Sequence, residues 1–481
     1  MLFAPLSLGS PRFSHGPETL SFSMDAPILT LDPLAATDAA SQRVLNLLHS
    51  ALVVRGEGLA MEPDLAESWQ KLPGGAGLVF RLRPLLRFED GEPLTNTHVV
   101  ESLRRFFKES RQATQFKAIT AVEARGGREV LLRFGPRTLP SLIQDLYLAK
   151  IYKEEGGRRI GAGRYRLWSA QPGVWTIQRN AHHWEAPRPG VPRFIRLSHT
   201  RDDTTRYQSF LRGDIDLMQS SLSLSKTDHL RRLKLPWVWV RDHFGIGAQY
   251  VAFNFRNPAL KDHRVRLALA KAFNRDALAR LRFKQYVTID DTILNPLLPE
   301  YLGGLPHPSY DLAAAEKLLD EAGLPRQGGP SGIRLTLMMK LTPVKEPMDL
   351  ARIFAADLEK IGVRLNLQVT ETARYFDDLK NGRFDLFTSR WVSVTEPHLL
   401  YRAFHSSQDK DLNRGAYSNT AVDRALEQGQ YQEAQRLMAE DLPYIFLWRW
   451  NHTIIATEKI KPFTPLANGD LIVLSKVVKG E

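Results

Sequence analysis

The sequence predicts an α/β protein of several lobes, and three observations predict it. The first is a strand–helix–strand run. Ile333, Leu335 and Leu337 alternate with polar residues; Leu350, Ile353, Phe354, Leu358 and Ile361 recur at helical spacing, with Gly362 in the C′ position; Val363, Leu365, Leu367 and Val369 alternate strictly with Arg364, Asn366 and Gln368. That order is the signature of a parallel unit. The second is a pattern that occurs twice. Leu211-Arg212-Gly213-Asp214-Ile215-Asp216-Leu217 matches Leu379-Lys380-Asn381-Gly382-Arg383-Phe384-Asp385-Leu386, each a helix end, a glycine and a strand carrying an aspartate. Either these are two ordinary turns or two lobes share one building block, with a ligand-binding cleft between them. The third is length: 481 residues exceed one ordinary domain.

The other elements follow in chain order. Leu20, Phe22 and Met24 alternate with serines and open the chain as a strand. Residues 38–53 read as a helix through Val44, Leu47, Leu48 and Leu52. Residues 76–88 are strand-like, and 94–108 form a helix begun by Thr95 or Asn96. Val130, Leu132 and Phe134 mark a strand. Tyr165 and Leu167 pair with Trp175 and Ile177 around Gln171-Pro172-Gly173, and Ile195 and Leu197 start another strand. A helix over 203–212 ends at Gly213 before a short strand with Ile215 and Leu217; Asp311 caps a helix ended by Gly323.

Composition bounds the function. With 43% hydrophobic and 25% charged residues the chain is globular, not disordered. It has no cysteine, which excludes disulfides, thiolate metal sites, cysteine nucleophiles and a lipidated cysteine. No apolar run approaches the ~20 residues that span a bilayer. The N-terminal stretch has no Lys or Arg before Arg12 and so does not read as a secretory signal.

Enzyme signatures are missing. There is no G-x-S-x-G, H-E-x-x-H or G-x-x-x-x-G-K-[ST], and Gly161-Ala162-Gly163 and Gly245-Ile246-Gly247 lack the third glycine of a dinucleotide fingerprint. His182-His183 reads as a solvated pair, since adjacent residues diverge and do not share a metal. Asp202-Asp203 and Asp290-Asp291 read as solvated caps or turns. No catalytic residue, cofactor or metal is expected. The net charge is +12, and residues 150–242 carry 18 Lys and Arg against nine Asp and Glu. Those arginines are dispersed, so nucleic acid is not an expected partner. A solvated basic surface or attraction to an acidic partner or anionic membrane surface remains.

Five segments together carry a resemblance. They are Leu31-Asp32-Pro33 with Asp38 and Ser41; Met61-Glu62-Pro63-Asp64-Leu65-Ala66-Glu67-Ser68-Trp69 with Phe80-Arg81-Leu82-Arg83 and Phe88-Glu89-Asp90-Gly91-Glu92-Pro93; and Gly161-Ala162-Gly163-Arg164-Tyr165 with Arg179-Asn180-Ala181-His182-His183-Trp184. Then come Phe253-Asn254 with Asp262-His263-Arg264-Val265-Arg266-Leu267-Ala268-Leu269, and Tyr310-Asp311 through Gly323, Trp391 with Glu396-Pro397 and Asp441-Leu442-Pro443-Tyr444. In order and spacing these resemble the extracellular solute-binding proteins of family 5, the oligopeptide- and dipeptide-binding group of ABC importers. Most are scaffold residues; Arg264 and Arg266 read as the polar face of a helix with Val265, Leu269, Ala272 and Phe273 beneath.

The resemblance implies a periplasmic-binding-protein fold of type II in its large three-lobed form. Lobe I is residues 1–34, 148–245 and 452–481; lobe II is 35–147; lobe III is 246–451. Two lobes with mixed sheets close on a ligand by hinge motion, and a third is added. It implies a monomer that captures a peptide or peptide-sized solute in the periplasm and delivers it to a membrane permease. A cytosolic ligand sensor of the same fold is the alternative, although no DNA-binding segment precedes Thr19.

The sequence also departs from the family. Peptide-binding relatives carry an aspartate three residues after the tryptophan matching Trp391, and it pairs the peptide's α-ammonium; here the residue is Val394. Glu396 is the nearest carboxylate but occupies a structural position. The usual Tyr-Glu-Gly before a leucine in lobe II reads His49-Ser50-Ala51. The helix pair at 421–440 looks shortened. Candidate ligand residues are Trp391, by stacking on ligand or lining the cleft wall; Ser393 and His49, by hydrogen bonds; and Arg390, by pairing an anionic group or facing solvent.

Overall fold

The computed structural model describes residues 14–135, 142–329, 332–409 and 412–480. The N-terminal apolar stretch up to Phe13 lies outside the described residues. The chain divides into two units, one running to His243 and resuming at His452, the other spanning Phe244–Asn451. It passes from one to the other within the strands Val238–Phe253 and Tyr444–Thr457.

The first unit has two cores. One lies on a mixed sheet in which Tyr165–Gln171 pairs antiparallel with Val174–Arg179, and that strand with Phe194–Ser198. Thr19–Ser23 then runs parallel to both Phe194–Ser198 and Leu217–Gln219. Residues 454–456 close the sheet antiparallel to 217–219. Leu20, Phe22, Ile177, Ile195, Leu197 and Leu217 are buried there with Val44 and Leu47 of the helix Ala39–Leu48. The other core belongs to a four-stranded antiparallel sheet in the order Ala66–Lys71, Gly77–Leu82, Glu129–Phe134, Ile119–Arg125. The helix Asn96–Glu109 lays Val99, Val100, Leu103 and Phe106 on it against Phe80, Val130 and Leu132. Thr95 and His98 form the reciprocal cap that starts this helix.

The second unit contains the predicted parallel unit. Leu335–Leu341 pairs parallel with Val363–Val369 through the helix Lys345–Lys360, and Gly362 takes φ +78° where the helix stops. Leu386–Trp391 is parallel to Leu335–Leu341 and antiparallel to residues 248–253. Among the described residues no helix is long and apolar enough to cross a membrane.

The twin segments adopt one geometry, once in each unit. Gly213 and Gly382 take φ +82° and +67°, which a side chain would resist. Asp216 then exchanges bonds with Ser21 of the parallel neighbour: its N–H donates to the Ser21 carbonyl (2.9 Å) and its carboxylate accepts the Ser21 N–H (2.8 Å). Asp385 does the same with Met338, at 3.1 and 2.8 Å. The carbonyl of each accepts a third N–H, from Thr457 and Asn254 respectively. The carboxylates differ in their remaining partner. Asp216 meets Lys479 at 2.7 Å with both side chains buried, whereas Asp385 accepts from the Asn257 amide at 2.8 Å.

Several expectations are corrected. The helix read over 38–53 ends at Leu48, because Asp64 accepts the Ala51 N–H (3.1 Å) and draws the chain into an extended path. The strand read over 76–88 stops at Leu82, ahead of Pro84 and of Leu85 at φ +56°. Ile215 precedes its strand instead of lying in it. Arg266 is buried, not on a polar face; its guanidinium donates to the carbonyls of Leu260, Lys261, Asp441 and Leu442 and to the Asp441 carboxylate. Asp290 and Asp291 are ion-paired, with Arg449 and Arg275. His183 is half-buried while His182 is exposed.

The two aspartates differ in what their loss leaves behind. Asp216→Ala strands a buried Lys479 ammonium and lowers unfolding stability in urea by about 3–5 kcal/mol. Asp385→Ala strands an amide and a backbone N–H and costs about 1–3 kcal/mol. Equal losses in the two urea titrations would show that the ammonium is not what separates them.

Candidate solute-contacting residues

In the second unit Trp391 ends the strand Leu386–Trp391, opposite Ala248. Its ring lies 5.9 Å from Tyr250 at an interplanar angle of 22°, and Tyr250 lies 4.4 Å from Tyr444 at 3°. Phe404 packs against Tyr444 at 4.7 Å with its ring tilted by 55°. Tyr250 and Tyr444 are buried, whereas Trp391 is half-buried at the open end. Burial pushes the Tyr250 phenol up to about 12 and raises that of Tyr444 as well, so both rings stay neutral. The indole Nε1 of Trp391 is buried without a hydrogen-bond partner. A half-buried indole at the end of an aromatic stack suits a planar or apolar group.

Arg390 and Ser393 are exposed on either side of Trp391. Gly247 makes room for this strand end: a Cβ there would stand 3.3 Å from the Val392 carbonyl and 3.4 Å from that of Trp391. The Gly245-Ile246-Gly247 fragment is therefore a close backbone approach, not a phosphate loop.

Val394 is fully buried, and its carbonyl accepts from the Asn295 amide at 2.6 Å. No carboxylate stands at this position to meet an ammonium. Glu396 is occupied too, accepting the His398 N–H at 2.8 Å ahead of the helix Leu399–Phe404.

His49 belongs to the first unit, where it closes the helix Ala39–Leu48 with its N–H on the Leu45 carbonyl (2.8 Å). Its ring is buried edge-on to Tyr152, with centroids 6.1 Å apart. A Cβ at Gly161 would stand 2.5 Å from His49 Nδ1, and one at Gly163 2.3 Å from the Leu48 backbone. Both glycines are thus required by space, which explains the other glycine fragment. The Nδ1 atom has no hydrogen-bond partner. Burial first, then Lys150 and Arg159, holds the imidazole down to about 3.

Sequence reasoning missed the polar groups buried in the same region. Lys150 is buried and donates to the Tyr147 carbonyl; burial pulls its ammonium down to about 8, opposed by Asp470 and Asp64. Asp470 is raised by burial and accepts from the Asn46 amide and the Ile472 N–H. These residues come from three distant stretches and share no motif, so only folding reveals them. Tyr250 was not singled out in the sequence, and Tyr444 stood only within the Asp441-Leu442-Pro443-Tyr444 segment.

The comparisons with known proteins agree with this fold. Residues 60–411 match the model of the bacterial extracellular solute-binding proteins, family 5, middle region. The oligopeptide-binding protein AppA of Bacillus subtilis is 25% identical over 98% of this chain and 93% of its own. The heme-binding protein A of Haemophilus influenzae is 25% identical over 85% of this chain and 82% of its own. Among solved structures, NikA of Brucella suis in complex with Fe(III)-EDTA superimposes with a TM-score of 0.85 at 21% identity, covering 96% of this chain and 99% of that one.

His49 also sets a pH dependence. An unfolded histidine takes a proton near pH 6.5, whereas the buried ring resists it down to about 3. Between those values the unfolded state holds the extra proton, so this contribution to stability is complete above pH 6.5 and lost as pH falls toward 3. Going from pH 6.5 to 5, unfolding free energy falls by about 2 kcal/mol more in the wild type than in His49→Gln. Parallel urea titrations of the two proteins check this; identical pH slopes would reject it. The match over residues 60–411 makes the chain a member of the bacterial extracellular solute-binding proteins of family 5, the solute-binding proteins of ABC importers.

Proposed function

We propose that this protein captures a peptide or peptide-sized small solute that is not held by a free α-ammonium, and hands it to the membrane permease of an ABC importer. The observation that carries this reading is Val394. Its side chain is fully buried and its carbonyl is engaged by Asn295. An ammonium brought there would lose its hydration and meet no countercharge, at a cost of several kcal/mol. The neighbouring carboxylate, Glu396, is committed to the His398 N–H.

What the site offers instead is an aromatic end group with cationic and hydroxyl neighbours. Trp391 presents part of its ring, with Arg390 and Ser393 exposed beside it. The Trp391 end favours a solute with a flat or apolar part and acceptor or anionic groups. Relatives named for an oligopeptide and for heme lie at equal identity to this chain, so likeness alone does not choose the cargo. We place the protein outside the cytoplasmic membrane, as a binder without chemistry of its own. The reading as a cytosolic regulator has no observation in its favour.

Calorimetry tests the proposal with short peptides, their N-acetylated forms and amine-free solutes. Acetylation is expected to change affinity by less than about threefold, since no ion pair is lost. Trp391→Ala is expected to weaken the best solute by about tenfold, the scale of an aromatic stacking contact. Tight binding of free peptides that acetylation abolishes would overturn the reading.

A further inference from the structure

We propose that the first unit holds a small tetrahedral oxyanion, a phosphate or sulfate group, in a cavity separate from the solute residues. The cavity has a volume of about 40 Å³ and is lined by Arg164, Arg179, His183, Glu185, Arg188 and Lys476 among others. That is room for a few water-sized groups and too little for a peptide.

The charge around it is unbalanced. Four cations face one carboxylate. Glu185 is taken by Arg164, whose Nη2 donates to it at 2.9 Å. Asp64 lies 4.0 Å from the other end of the same guanidinium. Among the described residues no carboxylate pairs with Arg179, Arg188 or Lys476. Like charges gathered at a partly enclosed site repel in reduced dielectric, and an anion relieves that cost.

Two donors are also left over. Arg179 gives its Nη2 to the Val191 carbonyl at 2.7 Å, but its buried Nε has no partner. His183 Nδ1 accepts the Glu185 N–H at 3.1 Å, closer than the Glu185 carbonyl at 3.3 Å. That assigns the ring proton to Nε2, which is buried and unpartnered. Buried N–H groups without acceptors are rare in folded proteins and mark a missing partner. Guanidinium groups, a neutral imidazole N–H and an ammonium around a small cavity match the donors an oxyanion takes up.

The pieces come from Arg164 just ahead of the strand Tyr165–Gln171, from the end of the strand Val174–Arg179 and the loop that follows it, and from the C-terminal turn at Lys476. A bound anion would therefore tie the C-terminal segment to the sheet.

The test uses the full chain and inorganic phosphate. Thermal unfolding is followed against phosphate, sulfate and chloride at matched ionic strength, with phosphorus NMR line broadening as a second reading. Phosphate is expected to raise the melting temperature saturably, and chloride is not. Arg188 and Lys476 are exposed, so Arg188→Gln and Lys476→Gln keep the melting temperature in chloride while each weakens phosphate by about tenfold. Trp391→Ala leaves the phosphate titration unchanged, which separates this site from the solute reading. Glycerol phosphate distinguishes sources: binding equal to inorganic phosphate points to the head of a larger molecule, and binding of inorganic phosphate alone to the free ion. A phosphate shift no larger than that of chloride, or undiminished phosphate binding by both glutamine variants, would overturn the proposal.

Discussion

Asp216 and Asp385 enter their sheets where a helix has just ended and a parallel strand must begin. A parallel neighbour offers its N–H groups on a slant, and the first of them has no strand residue opposite. The aspartate carboxylate takes that N–H, at 2.8 Å from Ser21 in one unit and 2.8 Å from Met338 in the other. Its own N–H returns the bond to the same residue. This closed pair fixes the register of the parallel strands, and register decides which side chains enter the core. In the first unit Phe22 and Leu217 thereby fall side by side inside; in the second, Met339 and Leu386 do. The glycine ahead of each aspartate is held at positive φ by the same turn.

The same logic runs through the other buried charges. Lys479 sits on Asp216 and the Thr19 carbonyl, so the last residues of the chain are fastened to its first strand. Arg266 gathers carbonyls from Leu260, Lys261 and Leu442, and Arg449 gathers those of Thr292 and Ile293 beside Asp290. A planar guanidinium with five donors in a fixed fork satisfies more loop carbonyls at once than an ammonium with three. Part of the positive charge that stands out in the composition is spent in this way on internal carbonyls. Lys150 and Arg206 show it within the basic stretch, both being buried.

The sequence made most of the regular structure legible, and the failures have local causes. Strict alternation at 363–369 and helical spacing at 350–361 depend on neighbours in the chain, and both elements formed with the expected pairing. The helix end at Leu48 was misplaced because Asp64 pulls on Ala51 from 13 residues away. Arg266 looked like a surface residue because periodicity sees only its own helix, and the Asp441–Leu442 backbone that buries it lies some 175 positions later. Glycines 161, 163 and 247 had no reading beyond an incomplete dinucleotide fingerprint, and what they satisfy is the nearness of another segment's backbone. No local pattern encodes such nearness. For the same reason Trp391 was found from its motif, whereas Tyr250, Lys150 and Asp470 were not.

The departure at position 394 gains weight from its surroundings. Had Val394 been exposed, its identity would say little, since a nearby carboxylate could serve an ammonium through water. Instead the side chain is sealed and its carbonyl is bound, and the carboxylate close in sequence, Glu396, accepts the His398 N–H. Restoring an acid by Val394→Asp would place an unpaired charge in the core at a cost of several kcal/mol, so the amine site is not one substitution away. What stays accessible at this strand end is the Trp391 face with Arg390 and Ser393. The proposed capture without an ammonium anchor would rest specificity on shape, stacking and acceptor groups, on a fold that does not by itself fix the cargo.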